Sequence, residues 1–160
     1  MSGVPQIATV ATALGCGLVA GTFFGFSTFI MPSLDRLVPG QSISAMQSIN
    51  KVVLSPWFMT ALFGTAVLCA GLIVWAARSW DRPEAKWLVA GGALYLLGTV
   101  VVTMAANVPL NDTLETVRPD GPAAAEDWAD FYGPWTVWNT VRTIAGIGAA
   151  GLLTIGLTVD

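Results

Sequence analysis

The sequence predicts an all-α fold, an integral membrane four-helix bundle, and three observations carry that prediction. Hydrophobic residues make up 54% of the 160 and charged residues only 11%, against about a quarter charged in an ordinary soluble domain. The stretches 2–34, 52–77, 87–111 and 131–159 hold no Asp, Glu, Lys or Arg except Arg142, and each exceeds the roughly 20 residues a helix needs to cross a bilayer. No run alternates in the manner of a strand. With a mean hydropathy of +0.68, the chain reads as one four-span membrane domain over 1–160, with spans near 6–31, 55–78, 86–108 and 134–158.

The first span lacks the basic leader of a signal peptide and stays apolar beyond the roughly 7–15 residues of an h-region, so it is expected to remain as a helix. Gly17, Gly21 and Gly25 form a small-residue ladder along which another helix can approach closely. Pro32, after Phe29-Ile30-Met31, is expected to end this helix because it cannot donate to the ladder.

The first long connection should hold a short helix over 41–51, with Ser44 and Gln47 spaced as a capping box and Ile43, Met46 and Asn50 on one side. Ser55-Pro56 reads as an N-cap and first-turn proline of the second span. The third span is expected to end at Asn107-Val108-Pro109-Leu110-Asn111, since Pro109 leaves the Ala105 carbonyl without its usual partner. The third connection, with Pro119, Gly121, Pro122 and an Ala-rich patch, should carry a turn and a second short helix. Gly133-Pro134 then opens the fourth span.

Cys16 and Cys69 fall inside the first two spans, where buried apolar roles are expected rather than a disulfide. Arg78, Arg82 and Lys86 crowd the short second connection. Their density places that loop and both termini in the cytoplasm, in a bacterial inner membrane. The net charge of −3 gives no reason to expect nucleic acid as a partner. The lipid bilayer and a small aromatic or amphipathic molecule are the expected partners, and the oligomeric state is open, a homo-oligomer included.

Arg142 is the one charge inside the four apolar stretches, and a cation at that depth calls for a partner or a purpose. Helical spacing puts Trp135, Trp138, Asn139 and Arg142 on one stripe. All four asparagines, Asn50, Asn107, Asn111 and Asn139, belong to the same side of the membrane once the spans are drawn. With Gln47, Thr103, Trp57, Trp135 and Trp138 they form a candidate pocket at one end of the bundle. The plainer alternative is that Arg142 snorkels to the surface, the tryptophans anchor the interface and the amides glue helices; spacing leaves both open.

The chain has no histidine, so His-based haem, iron, zinc and copper sites are unavailable, and a Ser or Cys nucleophile has no imidazole base. No metal site and no cofactor are expected. Asn111-Asp112-Thr113 is formally a glycosylation sequon, too common and too close to the membrane to count for much.

The order Gly25-Phe26-Ser27 to Met31-Pro32, Met46-Gln47-Ser48-Ile49-Asn50, Asn107-Val108-Pro109-Leu110-Asn111 and Trp135-Thr136-Val137-Trp138-Asn139-Thr140-Val141-Arg142 resembles the anthrone-oxygenase-like family of small four-helix membrane proteins, many of whose bacterial members have no known function. That resemblance implies cofactor-independent oxidation of a polycyclic anthrone to an anthraquinone by O2. Arg142 would hold the substrate oxyanion, Asn107, Asn111, Asn139 and Asn50 would orient its oxygens, and Trp135 and Trp138 would stack on its rings. The base would be a carboxylate such as Asp112, a water, or the substrate's own ionisation. A second reading is a non-enzymatic membrane protein that binds or transports a small amphipathic molecule, or a structural partner subunit.

Overall fold

The computed structural model describes residues 3–159 and contains five helices: α1 (Val4–Leu34), α2 (Pro39–Val52), α3 (Pro56–Ala77), α4 (Ala85–Glu115) and α5 (Ala124–Thr158). No strand occurs among the described residues. Helices α1, α3, α4 and α5 are long and apolar enough to cross a membrane, and their outward side chains fit a lipid environment. Around the bundle, α1 packs on α5 and α3, while α4 packs on α3 and α5. The core between them centres on Val19, Phe23, Leu62, Leu72, Leu88, Tyr95 and Leu153.

Close approach in the core depends on small residues, though not on the ladder expected from the sequence. Gly17 and Gly21 have open space where a side chain would project. The close crossing of α1 and α5 instead uses Gly146, where a methyl group would come 2.8 Å from the Ala20 Cβ. Gly92 plays the same part between α4 and α3, where an added methyl group would come 3.1 Å from the Cys69 carbonyl oxygen. Cys16 and Cys69 are both free and buried.

Three prolines expected to bound helices lie inside them instead. In α1 the stretch Phe26–Ile30 is wound as a π-helix, with the Met31 N–H donating to the Phe26 carbonyl five residues back; Pro32 follows and the helix runs on to Leu34. In α4 the stretch Thr103–Asn107 is wound the same way, with the Val108 N–H on the Thr103 carbonyl, and Pro109 follows. The wider turn absorbs what a proline imposes, namely a missing donor and a ring pressed against the carbonyl four residues back. Pro134 sits inside α5. The carbonyl it deprives belongs to Asp130, which is exposed and therefore open to solvation. The short helix expected in the third connection is consequently the first three turns of α5.

Helix α2 begins at Pro39, two residues before the expected start, with Val38 at its N-cap. The Ser44–Gln47 capping box does not form: Ser44 Oγ donates to the Gly40 carbonyl within the helix, and Gln47 reaches α4. Ser55 does occupy the N-cap of α3, ahead of Pro56, without a side-chain cap bond.

Helix α2 roofs one end of the bundle. Ser42 Oγ donates to the Leu34 carbonyl at 2.7 Å, and Gln47 Nε2 donates to the Leu114 and Val117 carbonyls at 2.9 and 3.0 Å. The Leu34 and Leu114 carbonyls also accept turn N–H groups from Leu37 and Val117, so these three side-chain bonds tie α2 to the ends of α1 and α4 rather than filling vacant acceptors. A second apolar cluster, built on Met31, Ile43, Met46, Leu114, Trp128 and Phe131, packs α2 against the ends of α1 and α4 and the start of α5. Trp128 Nε1 adds a bond to Asp35 at 2.9 Å, fastening the start of α5 to the end of α1.

Candidate functional site

Under the roof lies a cavity of about 540 Å³, walled by all five helices and largely apolar. Phe23 and Phe26 come from α1, Met46 and Ile49 from α2, Phe58 and Leu62 from α3, Met104 and Val108 from α4, and Trp135 from α5. Arg142 lies in the wall, with Thr103, Asn50, Asn111, Asp112, Lys51 and Glu115 as the other polar members. Thr103 lies twelve residues before Glu115, so the Arg142–Thr103 level is about 18 Å below the outer rim along the helix.

Arg142 does not snorkel. It is only 5% exposed, its Nη2 donates to Asn139 Oδ1 at 2.7 Å and its Nη1 to Thr103 Oγ1 at 3.2 Å. The guanidinium lies over the Phe23 ring at 4.0 Å and near the Trp135 ring at 5.5 Å, both favourable cation–π arrangements. Every one of these partners is neutral. Three ion pairs occur among the described residues, Lys51–Glu115, Arg82–Glu84 and Arg118–Asp120, and Arg142 belongs to none of them. Its Nε is buried without a hydrogen-bond acceptor. A buried cation held only by dipoles and rings leaves its charge uncompensated, and an anion inside the cavity is the natural complement.

The asparagines divide into wall and support. Asn139 is fully buried behind Arg142; besides accepting from the guanidinium, it donates to the Phe23 carbonyl and Ser27 Oγ, both at 2.7 Å. It thereby fixes Arg142 against α1. Asn107 is also buried outside the cavity wall and donates to the Trp135 carbonyl at 3.1 Å, with its own Oδ1 unpaired. Asn111, one turn on, accepts from Trp135 Nε1 at 2.7 Å. The two asparagines therefore grip one tryptophan from α4, by its backbone and by its indole. Asn50 lines the cavity from α2 with its Nδ2 buried and unpaired.

Three other residues singled out from the sequence lie elsewhere. Trp57 is 88% exposed, on the outer face of α3. Trp138 is 42% exposed and absent from the cavity wall. At 100° per residue Asn139 and Arg142 lie within about 40° of Trp135 around the helix, whereas Trp138 lies about 60° to one side, which turns it toward lipid. Gln47 spends its amide on the carbonyls at the end of α4. Phe23 and Ser27 were not named as site residues, although Ser27 belongs to the Gly25-Phe26-Ser27 motif, because nothing in a phenylalanine-rich apolar run marks the ring or hydroxyl that will meet α5.

Both sequence motifs thus resolve into one bonded unit at the cavity's inner end. A family model described as anthrone oxygenase matches residues 57–152, more than half of the chain. That range includes Thr103, Asn107, Asn111, Trp135, Asn139 and Arg142, and excludes the roof helix. No curated protein and no solved structure matches the chain.

Proposed function

Because the chain belongs to the anthrone oxygenase family, we propose that it is a membrane-embedded oxidoreductase that oxidises a polycyclic phenolic substrate with O2 in the cavity beside Arg142. The observation that carries this reading is the guanidinium itself, buried in the wall of an apolar cavity with neutral partners only. Such a group, held ready in a dry site, stabilises developing negative charge far better than the same group in water.

In an anthrone the reacting CH2 is conjugated to a ring ketone. Loss of one proton delocalises charge onto the ketone oxygen, which Arg142 holds. Dioxygen bonds to the electron-rich carbon and, on taking up a proton, gives a hydroperoxide. Loss of the remaining C–H proton with cleavage of the O–O bond leaves a second ketone and releases water, so that CH2 and O2 become C=O and H2O. No cofactor takes part in this scheme. Asn139 and Thr103 position the guanidinium, Asn107 and Asn111 position Trp135, and Asn50 offers a donor to a substrate oxygen. Asp112, which lines the outer part of the cavity, water, or the acidity of the substrate itself accounts for the first proton.

We place the protein in a bacterial inner membrane with both termini and the 78–84 loop on the cytoplasmic side, on the density of Arg78, Arg82 and Lys86. The roof and the cavity then face the opposite side.

The experiment is oxidation of emodin anthrone by the protein in lipid nanodiscs under O2, followed by anthraquinone absorbance and oxygen uptake. A rate above the spontaneous background, saturating with substrate, is the expected result. Binding without any added rate would replace the oxygenase with a protein that binds or moves such molecules.

A further inference from the structure

We propose that the cavity takes its ligand sideways from the hydrocarbon of the bilayer, through a gap between α3 and α4, so that the ligand reaches Arg142 from the membrane and not from water. This rests on the reading that Arg142 receives a substrate oxyanion.

The gap follows from how the two helices pack. Contacts of α3 with α4 are concentrated on residues 85–101, where Gly92 lets the backbones meet. Beyond that point the π-wound Thr103–Asn107 stretch packs on α5 instead. Toward the roof, α3 and α4 therefore separate. The cavity wall in this region is made of side chains that also face lipid: Phe63 on α3 is 43% exposed and Met104 on α4 is 55% exposed, and both line the cavity. Neither is near a helix end, since Phe63 is seven residues into α3 and Met104 eleven residues before the end of α4. At about 1.5 Å per residue both lie roughly 10 Å or more inside the spans.

The rim on the water side differs in kind. There Lys51 of α2 and Glu115 of α4 are joined at 2.6 Å across the entrance, with Asp112 beside them in the wall. A phenol that has partitioned into lipid meets an apolar entrance from the side and a charged, bridged one from above. The side path leads directly to the level of Thr103 and Arg142, where the polar groups wait. An amphipathic ring system with its acidic oxygen leading fits that gradient, whereas a water-soluble anion does not.

The test measures association and dissociation of emodin, followed by its own fluorescence, with the protein in nanodiscs. Wild-type association should scale with the mole fraction of emodin in the lipid. Met104→Trp, at a residue shared by the path and the cavity wall, should slow association and dissociation alike by about tenfold, whereas a change in contact with the bound ligand alone would act mainly on dissociation. Phe63→Ala, which widens the path, should speed both. Joining Lys51 to Glu115 with a zero-length carbodiimide should leave both rates unchanged, with the Lys51→Ala protein, treated identically, as the control for other carboxylates. Loss of association on joining Lys51 to Glu115, with wild-type rates in Met104→Trp and Phe63→Ala, would overturn the side entrance and leave the cavity reading standing. A wild-type protein that does not bind emodin removes both.

Discussion

Arg142 draws its importance from the company it keeps. Asn139, Thr103 and two aromatic faces hold the guanidinium in place without neutralising it, so its field is available to a ligand. Removing a preorganised donor to an oxyanion costs about 100- to 1,000-fold in rate, and Arg142→Ala should lower emodin anthrone turnover by that order. Arg142→Lys should recover little, because an ammonium cannot reproduce the planar fork or its stacking. Asn139→Ala tests the support rather than the charge. It strips Arg142 of its shortest hydrogen bond and leaves the Phe23 carbonyl and Ser27 with one donor fewer. A buried polar group left unpaired costs about 1–3 kcal/mol, so the variant should unfold at a lower temperature in detergent as well as lose activity. Saturating emodin should raise the unfolding temperature of the wild type, by mass action on the folded state, but not that of Arg142→Ala.

At the scale of elements, the helices were legible because uncharged runs of adequate length leave few alternatives. Their ends were not. Pro32 and Pro109 read as stops and Pro134 as a start, yet the first two are accommodated by π-turns set just before them and the third by placing its freed carbonyl where it is exposed. The sequence has no separate signal for a π-turn, since the stretch Leu96–Val101 is wound the same way with no proline beside it. The phase of α5 was legible for Trp135, Asn139 and Arg142 and missed by a fraction of a turn for Trp138. The glycines show the same limit: Gly17 and Gly146 sit in equally small-residue contexts, but only Gly146 faces a neighbouring helix. Overpacking a close crossing costs about 1–3 kcal/mol. Gly146→Ala should therefore destabilise the bundle in denaturant titrations while Gly17→Ala leaves the midpoint where it is.

For the whole molecule, the convergence of the asparagines at one end was visible from topology alone, because drawing four spans brings distant segments to one level. Which asparagines face the cavity and which stand behind its wall depends on side-chain directions that no spacing rule supplies. The proposed orientation has a direct check. With Cys16 and Cys69 replaced by alanine, Asp81→Cys in the short loop and Thr116→Cys near the roof should label from opposite faces of inner-membrane vesicles with an impermeant maleimide. The proposed orientation requires Thr116→Cys to react in intact spheroplasts and Asp81→Cys to react only after the membrane is opened.

The bonds made by Gln47 bear on the order of events during biogenesis. Its amide is answered by the carbonyls of Leu114 and Val117, which leave the ribosome more than sixty residues later, after two further spans have been made. Until then the Gln47 amide has neither of its carbonyl partners, and the chamber beneath α2 is complete only once Trp135 and Arg142 of α5 follow. A nascent chain halted before the end of α4 therefore holds the roof segment without its Gln47 fastening and no enclosed chamber.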